Sequence, residues 1–143
     1  MPATSRNARS KTIGVAAGLF AAFLLDTPPL AAHHSFSAEF DGARRTRFEG
    51  VVTKVDWRNP HTYFYVDVRD AGGRLANWAF ETAGPNLLAR LGWKRDSLKV
   101  GDRVTVVAYP AWDGANVASA RSVTLADGRQ VFAGSATDGG PKP

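Results

Sequence analysis

Three histidines are the side chains of this sequence best suited to chemistry; His33 and His34 are adjacent, and His61 stands well downstream. The pair follows Leu30-Ala31-Ala32, small residues of the kind at which a signal peptidase cuts. A cut after Ala32 makes His33 the first residue. Its α-amine and imidazole then form one chelate, as in a histidine-brace copper site, and His61 is the only imidazole outside the pair to complete it. A cut after Ala31 makes the terminus Ala32-His33-His34, whose third-position histidine closes a square-planar set with the amine and two deprotonated amides, a geometry that suits Cu(II) or Ni(II). The metal expectation is therefore His33, His34 and His61, holding copper first, or nickel or zinc, with Glu39, Asp41 or Glu81 as sources of an oxygen ligand. Imidazoles bind metal unprotonated, so acid weakens such a site. A plainer reading competes: chain termini move unless tied down, and adjacent histidines bind metal adventitiously.

A second group surrounds His61. In Trp57-Arg58-Asn59-Pro60-His61 the proline restricts Asn59 to extended backbone and removes a donor, which makes a stiff connection between two strands. Tyr63 and Tyr65 alternate away from the apolar residues of their strand, and Trp78 follows on the next. Outward aromatics on a barrel face stack on sugars, peptide side chains or aromatic ligands. The ligand-binding expectation is thus Trp57, Asn59, Tyr63, Tyr65 and Trp78. The competing reading gives these residues structural tasks: Asn59 caps the turn, Trp57 plugs the barrel end, His61 bonds a carbonyl, and the aromatics cover the second face. No catalytic residue is assigned. The sequence has no nucleophile elbow, zinc-protease helix or glycine-rich phosphate loop, and Ser35 beside His34 is adjacency, since a triad is built by the fold. A copper-dependent oxidase on the terminal histidine is a third reading, but a brace alone does not make an oxidase.

These groups meet the metal chemistry described only if the chain is exported. Arg6, Arg9 and Lys11 make a positive start, Ile13 to Leu25 is an uncharged apolar run, and Asp26, Pro28 and Pro29 end it. The run is 13 residues long, short of the ~20 a spanning helix needs. Residues 1–32 therefore read as a cleaved secretory signal peptide rather than an anchor, and the protein as periplasmic or secreted. The 111 residues that follow suit one domain over 33–132, with the Gly-, Pro-, Ser- and Asp-rich stretch from Ala133 a disordered tail. After residue 32 there are 15 Lys and Arg against 12 Asp and Glu, a net charge of +3. So mild a balance, with Arg44, Arg45 and Arg47 the only tight cluster, argues against nucleic acid as a partner. The lack of cysteine excludes disulfides, thiol redox chemistry and thiolate metal sites.

Period-two alternation supplies the elements that must hold these groups. Phe48 to Trp57 reads as a first strand with Val51, Thr53, Val55 and Trp57 on one face, and Gly50 marks a bend or bulge. His61 to Arg69 is a second strand with Thr62, Phe64, Val66 and Val68 inward, and Asp70-Ala71-Gly72-Gly73 turns it back into a third, Arg74 to Glu81. Pro85 and Gly92 bracket a short helix bearing Leu87, Leu88 and Leu91. Leu98 to Asp102 leads into a fourth strand, Arg103 to Tyr109, Asn116 to Leu125 is a fifth, and Asp127-Gly128 opens a short hairpin to Phe132.

Three strands, a short helix and two strands resemble the OB-fold. The expected class is mainly β, a small five- to six-stranded antiparallel OB-like barrel with one short helix between strands three and four; another small barrel or sandwich is the alternative, because turn spacing does not set strand order. The motifs His33-His34-Ser35-Phe36, Phe40-Asp41, Trp57-Arg58-Asn59-Pro60-His61, Trp78 with Glu81, Leu91-Gly92-Trp93, Gly101-Asp102, Pro110-Ala111 and Asp113-Gly114 resemble a family of small exported bacterial proteins of unknown function. That resemblance implies export and a small β-domain, and it carries no catalytic or binding assignments. The functional expectation is a periplasmic small-barrel module that binds a metal ion or small ligand and does not span a membrane after cleavage. The alternative is an envelope interaction or structural module that takes a protein, peptide or glycan on the open barrel face with no specific metal.

Overall fold

A computed structural model of the chain describes residues 36–134. The alternating segments form β1 (Thr46–Asp56), β2 (Tyr63–Arg69), β3 (Leu75–Glu81), β4 (Arg103–Pro110) and β5 (Val117–Leu125). β1 pairs antiparallel with both β2 and β4, β2 with β3, and β4 with β5. The ring closes where Ala79 to Glu81 of β3 lie parallel to Val117 to Ser119 of β5. A closed ring of odd strand number cannot be antiparallel throughout, so five strands require one such pair. A short β6 (Gln130–Phe132) pairs with β5, α1 (Phe36–Glu39) precedes β1, and α2 (Pro85–Arg90) lies between β3 and β4. This is the OB-like barrel expected from the strand order, with its helix in the expected place.

Inward alternation fills the barrel. Phe64, Val66, Phe80, Val106, Ala118 and Val123 are fully buried, and the rings of Phe64 and Phe80 stack 5.2 Å apart. Leu88 of α2 is also fully buried and joins this core with Trp93 and Leu98. Pro85 sits in the first turn, where its missing N–H costs nothing, and Gly92 at φ 91° lets the chain leave the helix directly.

β1 departs from simple alternation. A bulge between Val52 and Lys54 reverses its faces, so Phe48 and Val52 join the core before it, and Val55 and Trp57 pack against the core after it. Val51 and Thr53, expected on the same face as Val55 and Trp57, stand outside the core because one inserted residue flips every side chain beyond it. Gly50 is not the bulge. A Cβ there would collide with the carbonyl oxygen of Asp67 and stand 2.7 Å from Val66 Cγ1, so glycine is what permits this close approach of β1 to β2.

Both ends of the described chain are tied to the barrel. Ala133, assigned to the tail by composition, is fully buried; its N–H donates to Arg121 O at 3.0 Å and its carbonyl accepts from Ala83 N–H at 2.8 Å. Two ladder-like bonds and complete burial outweigh a local composition typical of linkers; residues 135–143 lie outside the described range. At the other end, Phe36 and Phe40 of α1 form a satellite cluster with Tyr109 and Ala111 on the barrel's outer surface. Phe36 meets Tyr109 edge to face at 5.6 Å, and the Arg121 guanidinium lies 5.6 and 5.7 Å from the two rings. Among the described residues no helix is long and apolar enough to cross a membrane.

Candidate functional site

His61 is the one histidine within the described residues; His33 and His34 lie outside them. Backbone pairing of β2 with β3 continues past the strand ends, since Thr62 N–H donates to Ala83 O at 3.2 Å and Thr82 N–H to Thr62 O at 2.9 Å. That continuation lays His61 alongside Glu81 and Thr82. His61 Nδ1 is 3.0 Å from Thr82 O and 3.2 Å from Glu81 Oε1. A carbonyl oxygen only accepts, so Nδ1 carries the proton and donates, which leaves the lone pair of the neutral ring on Nε2. The side chains of His61 and Glu81 are 30% and 15% exposed, sheltered yet open to a small ligand.

Glu81 is held from its other oxygen. The Tyr63 hydroxyl donates to Glu81 Oε2 at 2.6 Å, because Tyr63 and Glu81 are directly opposed across the β2–β3 ladder. Burial first, then this hydrogen bond and the negative charges of Glu81 and Glu39, raise the Tyr63 phenol well above its ordinary value, against a smaller opposing effect of Arg58. The Arg58 guanidinium stands 4.9 Å from the Tyr63 ring centroid, and its Nε is 3.7 Å from Asp56 Oδ2. The influence of Glu39 on Tyr63 brings the end of α1 within electrostatic reach of the same site.

The other expected site residues divide. Tyr65 faces outward with Tyr63 and carries the Lys54 ammonium 5.1 Å from its ring centroid. Trp78 is on the opposite face of the sheet, packed against the core with Phe48 at 4.6 Å, so it does not share a surface with the two tyrosines. Trp57 is half-buried against the core, edge to face with Trp93 at 6.3 Å and with the Arg95 guanidinium 5.8 Å from its ring. Asn59 is exposed in the loop before His61, and Pro60 rests on Gly84, where a Cβ would collide with the Pro60 carbonyl oxygen. Of the three carboxylates considered as ligands, Asp41 caps its own turn by accepting from Ala43 N–H at 3.1 Å. Glu81 lies beside His61 Nδ1 at 3.2 Å and accepts from the Tyr63 hydroxyl. Among the described residues no group of three or more His, Cys, Asp or Glu side chains is placed to hold a metal ion.

Elsewhere on the barrel an open groove of about 570 Å³ is lined by Glu49, Asp67, Arg69 and Arg103 among others, with Gly50 in its wall. Its charges offset one another, and none of the expected site residues lines it.

The fold and site define a small OB-like barrel with a sheltered histidine, bonded to the Thr82 carbonyl and beside Glu81, at the junction of the β1–β2 loop and β3. The chain belongs to the family of unknown function DUF6152, whose profile matches residues 23–120. No curated protein and no solved structure matches the chain.

Proposed function

We propose that this protein is an exported, non-enzymatic binding module of the periplasm or extracellular space, and that its ligand is a divalent metal ion, copper first, held by His61 together with His33 and His34. One observation carries the reading: His61 donates Nδ1–H to a backbone carbonyl and lies against a carboxylate, the arrangement by which proteins present Nε2 to a metal. One imidazole is too few, so the remaining donors must come from outside the described residues, and His33 and His34 are the other imidazoles of the chain.

Chain geometry supports the combination. The outward row of the barrel runs Asp56, Tyr63, Glu81, Ser119, Tyr109 in cross-strand register. Glu81 and Tyr109 are two strand spacings apart, about 10 Å, and Phe36 meets Tyr109 edge to face. His34 is two residues before Phe36, at most about 7 Å of extended chain. The leader-like start, the short apolar run and the small residues before His33 support export, and cleavage there would create the α-amine that completes a chelate.

A second reading rests on the outward tyrosines. Tyr63 and Tyr65, each with a cation against its ring, lie on the strand-two face that OB barrels use for binding, which suits a peptide or glycan. Mass spectrometry of the exported protein and copper titration of that form separate the two. The metal reading requires a first residue of Ala32 or His33 and an affinity that drops on His33→Ala and on His61→Ala. An uncut leader, a start beyond His34, or an affinity indifferent to both substitutions removes it and leaves the peptide or glycan module.

A further inference from the structure

We propose that the open groove on the barrel's outer surface is a ligand site for a small organic monoanion, a carboxylate on an apolar body, with Arg103 gripping the carboxylate and Arg69 adding a second positive charge. The proposal stands apart from the metal reading, since the groove lies towards the other end of β2 from His61. Strand register builds it. Arg103 of β4 pairs with Val51 of β1, and Val51 with Asp67 of β2, in one cross-strand row. One step beyond the Gly50–Val68 pair, Glu49 stands beside Arg69, which pairs in turn with Leu75. Residues between these rows, Val104, Val66 and Val68, face the core, so both rows face outward. The two arginines are then about 10 Å apart across the strands and about 7 Å along them, a separation that one small ligand spans.

The four charges of the groove cancel in formal count, but they are not equally engaged. Glu49 Oε1 accepts from Arg47 Nε at 2.9 Å, and Asp67 Oδ1 accepts from Asn77 Nδ2 at 2.7 Å. Arg69 commits one N–H, from Nη1 to Gly73 O at 2.9 Å, and Arg103 makes no side-chain hydrogen bond or ion pair among the described residues. Each guanidinium has five N–H donors, so most of the donors on this surface are unused. With Arg47 counted beside its partner, three guanidiniums, Arg47, Arg69 and Arg103, face two carboxylates, Glu49 and Asp67. One negative charge balances the excess. A carboxylate brings that charge and takes two parallel N–H bonds from an arginine, whereas a phosphate monoester carries close to two charges at neutral pH. The rest of the lining suits an apolar body: Val51 is half-buried beside Arg103, Leu75 is 51% exposed at the β3 side, and Leu125 closes the β5 side. The volume of about 570 Å³ is in the range of small-molecule sites, ~300–1,000 Å³.

The test titrates isotope-labelled protein with phenylbutyrate, with its uncharged amide and with phenylbutyl phosphate, followed by proton–nitrogen correlation NMR at low salt. Phenylbutyrate is expected to shift the backbone amides of Glu49 to Val51 and of Arg103 to Thr105 together with the Arg103 side-chain N–H, and to leave the His61 amide in place. The amide and the phosphate are expected to bind more weakly, and added salt to weaken the carboxylate. Arg103→Ala should lower the affinity for phenylbutyrate about tenfold or more, and Arg103→Lys, which keeps the charge but not the fork, should recover only part of it. Glu49→Gln should tighten binding of the carboxylate and leave the amide unchanged. That gain cannot come from lost structure, so it decides the matter if an arginine variant does not fold. No shift at the groove, equal affinity for the amide, tighter binding of the phosphate, or an affinity indifferent to both Arg103→Ala and Glu49→Gln overturns the proposal; none of these outcomes bears on copper binding, which is measured separately.

Discussion

At Gly84 two effects of opposite sign compete, and their sizes decide the outcome. The residue has φ −65° and ψ 159°, backbone open to any L-amino acid. On that ground alone Gly84→Ala stabilises by about 0.4–1 kcal/mol, because the unfolded chain loses freedom. A Cβ at this position, however, runs into the carbonyl oxygen of Pro60 and stands 3.5 Å from its carbon. Both contacted atoms belong to the backbone carbonyl of Pro60, beside a proline ring, and Gly84 is itself held at the start of α2, so no side-chain rotation relieves the clash. Overpacking of this kind costs about 1–3 kcal/mol, and the contact wins, for a net destabilisation of about 1–2 kcal/mol. In a domain of roughly this size that lowers Tm by about 4–16 °C. Gly92→Ala is the control. With φ 91° and nothing within 4 Å of its Cβ, it costs only left-handed backbone strain, about 1–2 kcal/mol. Stability alone does not separate the two variants, but the position of His61 does. Pro60 is bonded to His61, so metal affinity is expected to fall in Gly84→Ala and to stay at the wild-type level in Gly92→Ala. Thermal melts and copper titrations of both variants check this. A Gly84→Ala protein that melts at or above the wild-type temperature refutes the steric argument.

Three other outcomes follow from the same structure. Leu88 is fully buried beneath the barrel, and Leu88→Ala is expected to cost about 2–5 kcal/mol in urea melts; a loss below ~1 kcal/mol would show that α2 is not part of the core. Burial, the Glu81 hydrogen bond and the Glu81 and Glu39 charges raise the Tyr63 pKa, so the folded protein holds that proton after the unfolded chain has released it. Stability from this group is therefore level below pH ~10 and falls as pH rises beyond it, and Tyr63→Phe should flatten that alkaline limb in urea melts between about pH 8 and 11. Phe36→Ala removes the ring that joins α1 to Tyr109 and Arg121. It should raise proteolysis at Arg44 and Arg45 and alter the fluorescence of Trp112, whose Nε1–H donates to Ser37 O at 3.2 Å; unchanged cleavage and fluorescence would show that α1 is held by other contacts.

The Tyr63–Glu81 opposition was within reach of the sequence. Counting outward from the Asp70-Ala71-Gly72-Gly73 turn pairs Arg69 with Leu75 and, by steps of one, Tyr63 with Glu81, as the ladder does. What the sequence does not hold is the direction of His61, which depends on the backbone carbonyl of Thr82. Carbonyls carry no sequence signature, and only continuation of the β2–β3 pairing past the strand ends brings this one to the ring.

Local chemistry in the chain determined the elements, the turns and α2, because alternation, proline at a helix start and glycine past its end act over a few residues. Tertiary structure alone decided two things: the face reversal in β1 and the burial of Ala133. Each arises from residues distant in sequence meeting across a closed barrel. The bulge fits β1 between two neighbours at once, and the seat of Ala133 exists only where β5 and the segment after β3 come together, since Ala133 bonds both Arg121 and Ala83.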